Sequence, residues 1–159
     1  MADKYLENPA NEKLISLLSS FGRGRPGQMS ADPATVKNPY FTLGTHPDIV
    51  ERVWAVLGGG LPVDCRWVLC GRPVLAHPVI GTAFAFAMGT PTYALWLPPG
   101  ELAIALAEGA SRSFKFSNGH TLDLTQLGDD WVMGGWRQGE VEWCAAAFKQ
   151  LNAESVHTL

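Results

Sequence analysis

The side chains in this sequence that could support chemistry are three cysteines, four histidines and a set of scattered carboxylates. Cys70 and His77 flank one short segment, and a thiol nucleophile with an imidazole base is the chemistry that this spacing offers. Such a pair needs hydrogen-bond reach and a third group that orients the imidazole. His77 precedes Pro78 at the expected end of a strand, where we expect it to face solvent. His120 follows Asn118-Gly119 at the expected tip of a hairpin. No catalytic residue is therefore predicted.

Metal and phosphate sites are not indicated by the spacing of their usual ligands. The cysteines at 65, 70 and 144 complete no Cys-x-x-Cys or His-x-x-x-His pair, and we expect them to be reduced thiols. Asp129 and Asp130, just before Trp131, either cap a turn or bind a cation, and cation loops usually supply more oxygen ligands at fixed spacing. The run Gly58-Gly59-Gly60 leaves a helix without a lysine, whereas phosphate-binding glycines lead into one. We predict no metal site and no cofactor.

The segment GRGRPGQ at residues 22–28 contains the Arg-Gly-Arg-Pro arrangement that AT-hook peptides insert into narrow minor grooves. It lacks flanking lysines or arginines and directly follows a helix stop, so a surface loop is the favoured interpretation. The net charge of −3 also disfavours nucleic-acid binding, because phosphate neutralisation supplies most non-specific affinity. A DNA-binding alternative stays open through one arginine face, formed by Arg23, Arg25, Arg66 and Arg72.

The tryptophans are the more informative feature, since six in 159 residues is a high number. Trp131, Trp136 and Trp143 lie around Gly134-Gly135, with Arg137 beside them. They either pack the last helix on a sheet or form the wall of a cleft or partner surface. In the second case the glycines let a ligand approach closely and an arginine meets an anionic group. The candidate ligand or partner surface comprises Arg66, His77, Trp131, Trp136, Arg137 and Trp143.

An N-terminal helix and an irregular arm are expected over residues 1–44. Asn8 is placed to cap the helix, Pro9 fits its first turn, and Gly22 supplies a left-handed stop. The apolar stripe of this helix needs a partner, which is either the rest of the chain or a second copy. The stripe consists of Leu14, Ile15, Leu17, Leu18 and Phe21.

Residues 45–151 have the pattern of one α+β domain, and residues 152–159 that of a flexible polar tail. Helices are predicted over 45–57, 101–108 and 138–151. Strands are predicted over 67–70, 74–76, 80–88, 92–97, 114–116, 121–124 and 131–133. Runs of adjacent strands with short turns favour an antiparallel sheet of about five or six strands packed by helices. In the strand at 80–88 we expect Phe84 and Phe86 on one face and the alternating alanines on the other.

Three segments in the middle of the chain follow one another as turn, strand and strand: Cys70-Gly71-Arg72-Pro73-Val74-Leu75, Phe84-Ala85-Phe86-Ala87 and Tyr93-Ala94-Leu95-Trp96-Leu97-Pro98. A helix and a late Trp131-Val132 come after them. With this succession, residues 46–150 resemble the small MmcQ/YjbR family and, more loosely, the N-terminal domain of TfoX-type proteins. The resemblance implies an antiparallel sheet flanked by helices, and a DNA-binding role. The hairpin at 114–124 and residues 1–44 lie outside it.

Only 17% of the residues are charged, and this low charge together with the spare tryptophans favours association. We therefore expect a non-enzymatic binding or interaction protein that binds a protein partner or another copy of itself. The alternatives are DNA binding through the arginine face and a small-molecule or enzymatic site near Arg66, His77 and Trp136. The start MADKYLENPANEK has no signal-peptide pattern, and turn residues at 89–92 interrupt the apolar stretch at 79–97. A cytoplasmic protein without a membrane span is expected.

Overall fold

Five strands form an antiparallel sheet at the centre of the fold. The computed structural model describes residues 5, 7–21, 47–69, 72–87, 92–115, 119, 121–135 and 140–158. Its strands are β1 Arg66–Leu69, β2 Arg72–Ala76, β3 Ala83–Ala87, β4 Thr92–Trp96, β5 Ser113–Lys115, β6 Thr121–Asp123 and β7 Trp131–Gly135. The central sheet has the order β1-β2-β3-β4-β7, and β5 and β6 form a separate hairpin. The predicted α+β class with an antiparallel sheet is confirmed.

The described residues contain four α-helices. They are α1 Glu12–Phe21, α2 Pro47–Glu51, α3 Pro99–Ala107 and α4 Glu140–Thr158, and α2 continues as a π-helix at Arg52–Leu57. Short 3₁₀ turns precede α1 at Pro9–Asn11, precede β1 at Val63–Cys65 and follow β6 at Leu124–Leu127. In these parts of the chain no helix combines the length and the apolar character that crossing a bilayer requires.

The helix ends agree with the expected caps in part. The side chain of Asn8 accepts a hydrogen bond from the Ala10 N–H at 2.9 Å, as predicted, whereas Gly22 and the arm to residue 44 lie outside the described residues. The last helix is described over Glu140–Thr158, and its expected start at 138 lies outside the described residues. Most of the segment expected as a polar tail is thus helical, because a polar sequence that continues an anchored helix extends it without needing contacts of its own.

Both faces of the sheet are covered. One face, called the α4 face below, packs against the π-helix, α3 and α4 through Trp54, Leu57, Leu102, Trp143, Ala147 and Leu151. The other, called the α1 face, packs against α1 and residues 122–127 through Leu14, Leu17, Leu18, Leu122, Leu124 and Leu127. The three leucines of the apolar stripe of α1 are therefore buried on the sheet of their own chain. Each fully buried leucine contributes about 1.5–3 kcal/mol.

A β-bulge between β2 and β3 changes which side chains share a face. Leu75 pairs with Ala85 and Ala76 pairs with Ala83, so Phe84 is an extra residue in β3. Phe84 packs on the α4 face and Phe86 on the α1 face. The prediction that both phenylalanines share a face is wrong, because one inserted residue reverses the alternation of a strand.

Asn11, at the end of the first 3₁₀ turn, is fully buried and ties the N-terminal segment to the start of β3. Its amide nitrogen donates to the carbonyl oxygens of Tyr5 at 2.9 Å and Gly81 at 2.8 Å. Its amide oxygen accepts from the Ala83 N–H at 2.8 Å. Asn11 thus satisfies backbone groups of Tyr5, Gly81 and Ala83, as buried peptide groups require.

Replacing this amide tests its contribution to stability. We expect Asn11→Ala to lower the free energy of unfolding by about 2–4 kcal/mol, because it leaves a buried N–H and two carbonyl groups without partners. Urea unfolding followed by circular dichroism measures the change. The matched control is Gln150→Ala, an amide on the exposed face of α4, with an expected effect within about 0.5 kcal/mol. Equal losses in the two variants would contradict the assignment.

Candidate functional site

A cavity of about 270 Å³ lies at the end of the sheet where β3 begins, β4 ends and β7 begins. Leu151 of α4 lines it from the α4 face and Leu127 from the α1 face, so both layers contribute. Ala10 of the N-terminal turn and Thr82 before β3 also line it. The volume lies just below the range of roughly 300–1,000 Å³ that is typical of small-molecule sites, so the cavity suits a compact ligand.

Trp96 and Trp131 supply the aromatic surface of the cavity. They are directly opposite each other in the β4–β7 ladder, so their side chains leave the same face of the sheet as neighbours. Trp131 is buried, and the ring of Phe86 packs against it with centroids 5.7 Å apart at an interplanar angle of 50°. Trp96 is half-buried. The indole of Trp131 is thus packed against Phe86, while that of Trp96 keeps part of its surface accessible.

Two acidic residues, Asp130 and Glu154, lie among the lining residues and come from different elements. The carbonyl oxygen of Asp130 accepts a hydrogen bond from the Leu97 N–H at 2.9 Å, which fixes the loop before β7 to the end of β4. Gly128 in the same loop has a φ of 125°, a conformation that glycine adopts far more readily than other residues. Glu154 lies on α4 and is exposed. The described lining has two carboxylates and no basic side chain.

His77 holds the connection between β2 and β3 beside the cavity. Its ring is 1% exposed and stacks on Phe148 of α4 with centroids 5.4 Å apart. Nδ1 accepts from the N–H groups of Val79 and Ile80 at 3.2 and 3.3 Å, so the proton lies on Nε2, which donates to Oδ1 of Asn152 at 2.8 Å. The expectation of a solvent-facing imidazole is wrong, because α4 covers this end of β2.

The expected tryptophan surface is divided between the two faces of the sheet. Trp131 packs on the α1 face, whereas Trp143 packs on the α4 face against Tyr93, with ring centroids 6.3 Å apart. The space above Gly134 is filled: a Cβ there would lie 2.7 Å from the Tyr93 Oη and 2.9 Å from a ring carbon of Trp143. Gly134 therefore permits close packing of these side chains, not the approach of a ligand. Trp136 and Arg137 lie outside the described residues.

The arginines of the DNA-binding alternative do not form one face where they are described. Arg66 pairs with Leu75, which packs on the α4 face, whereas Arg72 pairs with Leu69, which packs on the α1 face. Burial lowers the pKa of the Arg72 guanidinium. Arg23 and Arg25 lie outside the described residues. Arg66 and Arg72 thus leave the sheet on opposite faces.

Cys65 and Cys144 are free thiols that are fully buried in the α4-face core. Burial, with a smaller contribution from the charge of Asp64, raises the pKa of Cys65 to about 12. Burial raises the pKa of Cys144 as well, with a smaller contribution from Cys65. Thiols of this kind stay protonated and behave as small apolar groups. Cys70, the partner considered for His77, lies outside the described residues.

Comparisons with known proteins give no relative: no family model, no curated protein and no solved structure matches the chain. The resemblance to the MmcQ/YjbR family stays a prediction. Within the described part of the chain, no group of three His, Cys, Asp or Glu residues is arranged to hold a metal ion. The protein thus has an α+β fold with a small cavity at one end of its sheet, lined by aromatic and acidic residues among others.

Sequence patterns indicated part of this cavity. Trp131 belongs to the predicted ligand or partner surface, and Asp130 is predicted to cap a turn or bind a cation. Trp96 and Glu154 were missed, because their place in the lining depends on the β4–β7 register and on the position of α4. The one available signal was a tryptophan at the end of an apolar strand, directly before Leu97-Pro98.

The buried thiols can be tested by alkylation in a Cys70→Ser variant. At about pH 8 we expect Cys65 and Cys144 to react with iodoacetamide at least about 100-fold more slowly in the folded protein than in guanidinium chloride, because the thiolate is the reactive form. Mass spectrometry counts the modified cysteines. Fast alkylation of the folded protein would contradict the burial.

Because folding raises the pKa values of Cys65 and Cys144, we expect the free energy of unfolding to fall as the pH rises above about 8.5, where the thiols of the unfolded chain ionise.

Proposed function

We propose that the protein is a non-enzymatic binding protein and that the cavity at the end of the sheet is its ligand site. The observation that carries the proposal is the pair Trp96 and Trp131 in the wall of a cavity of about 270 Å³. Indole rings are large, rigid and apolar with one polar N–H, which makes them effective binding surfaces. A cavity lined largely by apolar side chains with a few polar groups is typical of a small-molecule site.

The lining supports binding better than catalysis. The described lining residues include no cysteine, histidine, serine or lysine, and their hydroxyl and carboxyl side chains are those of Thr82, Asp130 and Glu154. A carboxyl group that acts as a general acid is usually desolvated. Glu154 is exposed and Asp130 only half-buried, so neither has that environment. Since both described cysteines are unpaired, a reducing compartment such as the cytoplasm suits the protein.

The proposal predicts that small ligands perturb the cavity tryptophans selectively. In a fragment screen by two-dimensional NMR, binding fragments should shift the indole N–H signals of Trp96 and Trp131. They should leave that of Trp54 unchanged, since its indole N–H donates to the Val74 carbonyl oxygen away from the cavity. Ala10→Phe, which fills the cavity from the N-terminal turn, should abolish the shifts, and Ala145→Phe on the exposed face of α4 should not. A fragment set of cations, neutral molecules and anions that shifts neither indole would remove the proposal.

A second candidate keeps the self-association expected from the sequence, but places it on α3 and not on the first helix, whose leucines are buried on the sheet. This helix has the sequence PGELAIALA with one charged residue, Glu101. Its outer side exposes Ile104 at 57% and Leu106 at 37%. A helix that is apolar on all sides normally has partners on all sides. Glu101 and Glu108, three residues before and four residues after Ile104, lie on the same side of the helix, so two copies bring some like charges together. Together with the small apolar area, this supports only weak, concentration-dependent association.

Sizing chromatography across a concentration series tests this second candidate. We expect Ile104→Lys to remove any concentration-dependent shift toward a dimer, because it places a charge in the apolar contact. Val63→Lys is the matched control, since Val63 is 64% exposed on a different element and should leave elution unchanged. Elution as a monomer at every concentration by the unaltered protein would exclude the candidate.

A further inference from the structure

The charge of the cavity lining indicates which ligands it accepts. Its two acidic residues are Asp130 and Glu154, and no basic side chain is among the described lining residues. Arg112 approaches the same loop from outside the lining and donates from Nη2 to the carbonyl oxygen of Asp129 at 2.8 Å. An anionic ligand would therefore enter a like-charged cavity, whereas a cation would be neutralised there.

The two indole rings favour the same class of ligand. The face of an indole carries the negative lobe of its quadrupole, and tryptophan is the strongest aromatic partner for an ammonium group. Trp96 and Trp131 are adjacent in the cavity wall, and Phe86 supports the second ring. Quaternary ammonium groups are recognised by aromatic side chains of this kind, and nearby carboxylates add to the attraction.

A bare or hydrated metal ion fits the lining less well. Hard divalent cations take six or more oxygen ligands, whereas most of this lining is aromatic and aliphatic. A sugar would also stack on indole rings, but its hydroxyl groups need several donors and acceptors. Apart from the carboxylates, the described lining offers one side-chain hydroxyl, that of Thr82, which already accepts from Asn8 at 3.2 Å.

We infer that the cavity binds a small organic cation, an amine or quaternary ammonium compound with a compact apolar body, held against Trp96 and Trp131 and neutralised by Asp130 and Glu154. The inference rests on the proposed function and names the ligand class of that site. The small volume limits the ligand to one cationic head group with a short substituent.

The direct test compares choline with its uncharged carbon isostere, a dimethylbutanol in which a tert-butyl group replaces the trimethylammonium group. Both are titrated into the full-length protein while the indole N–H signals of Trp96 and Trp131 are followed by NMR. We expect choline to bind about ten-fold more tightly, because only choline gains cation–π and carboxylate attraction. Added salt should weaken the binding of choline and leave the binding of the isostere unchanged.

Matched variants separate the carboxylates from general charge effects. Asp130→Asn should weaken choline binding about five-fold and leave the isostere unchanged. Asp129 is the neighbouring exposed carboxylate outside the lining, and Asp129→Asn should leave the affinities for choline and for the isostere unchanged. If Asp130→Asn unfolds the protein, Glu154→Gln with Glu142→Gln as its control gives the same comparison on the exposed surface of α4.

The outcomes distinguish the inference from the proposed function. If the isostere binds as tightly as choline, or if neither carboxylate variant changes the ratio, the cavity binds ligands but the cationic class is wrong. If fragments of another class shift the indole signals and choline does not, the inference also fails while the proposed function stands. If no fragment of any class shifts them, both fail.

Discussion

The structure depends on the hydrogen bonding of one short connection, residues 77–82 between β2 and β3. His77 and Gly81 in this connection are buried, so their polar groups need partners from the protein itself, whereas Val79 is exposed. Asn11 bonds to Gly81 and Ala83, and the imidazole of His77 accepts from Val79 and Ile80. Asn11 belongs to the N-terminal segment and His77 reaches α4, so the same few bonds hold both layers at one end of the sheet.

The position of the cavity follows from the way the sheet is covered. Helices and the 122–127 segment pack on both faces of the sheet. At Gly134, which has no side chain, Tyr93 and Trp143 fill the space. The cavity lies where strands end and the two layers separate. The adjacent Trp96 and Trp131 stand at such an end, next to the connection fixed by Asn11 and His77. Rigid support beside an aromatic wall is what a pre-organised binding site needs.

Local patterns were sufficient for most of the fold. Alternation placed the strands of the central sheet, and the Asn8 cap marked the first helix. Local patterns failed where one inserted residue or one distant contact decides where a side chain lies. The bulge at Phe84 has no compositional signal, and the burial of Asn11 depends on partners some seventy residues away. Half of the site was visible as Asp130 and Trp131, whereas Trp96 and Glu154 join it only through strand register and helix placement.

The docking of α1 has a consequence for synthesis of the protein. Its leucines are made early, but the surface they cover includes Phe86, Ala94 and finally Met133. At translation rates of roughly 5–20 residues per second, the helix waits on the order of ten seconds outside the ribosome before that surface is complete. During this interval it is a free amphipathic segment, available to chaperones or to other nascent chains. This helix emerges before the strands that bury it, so slow translation of the later strands prolongs its exposure.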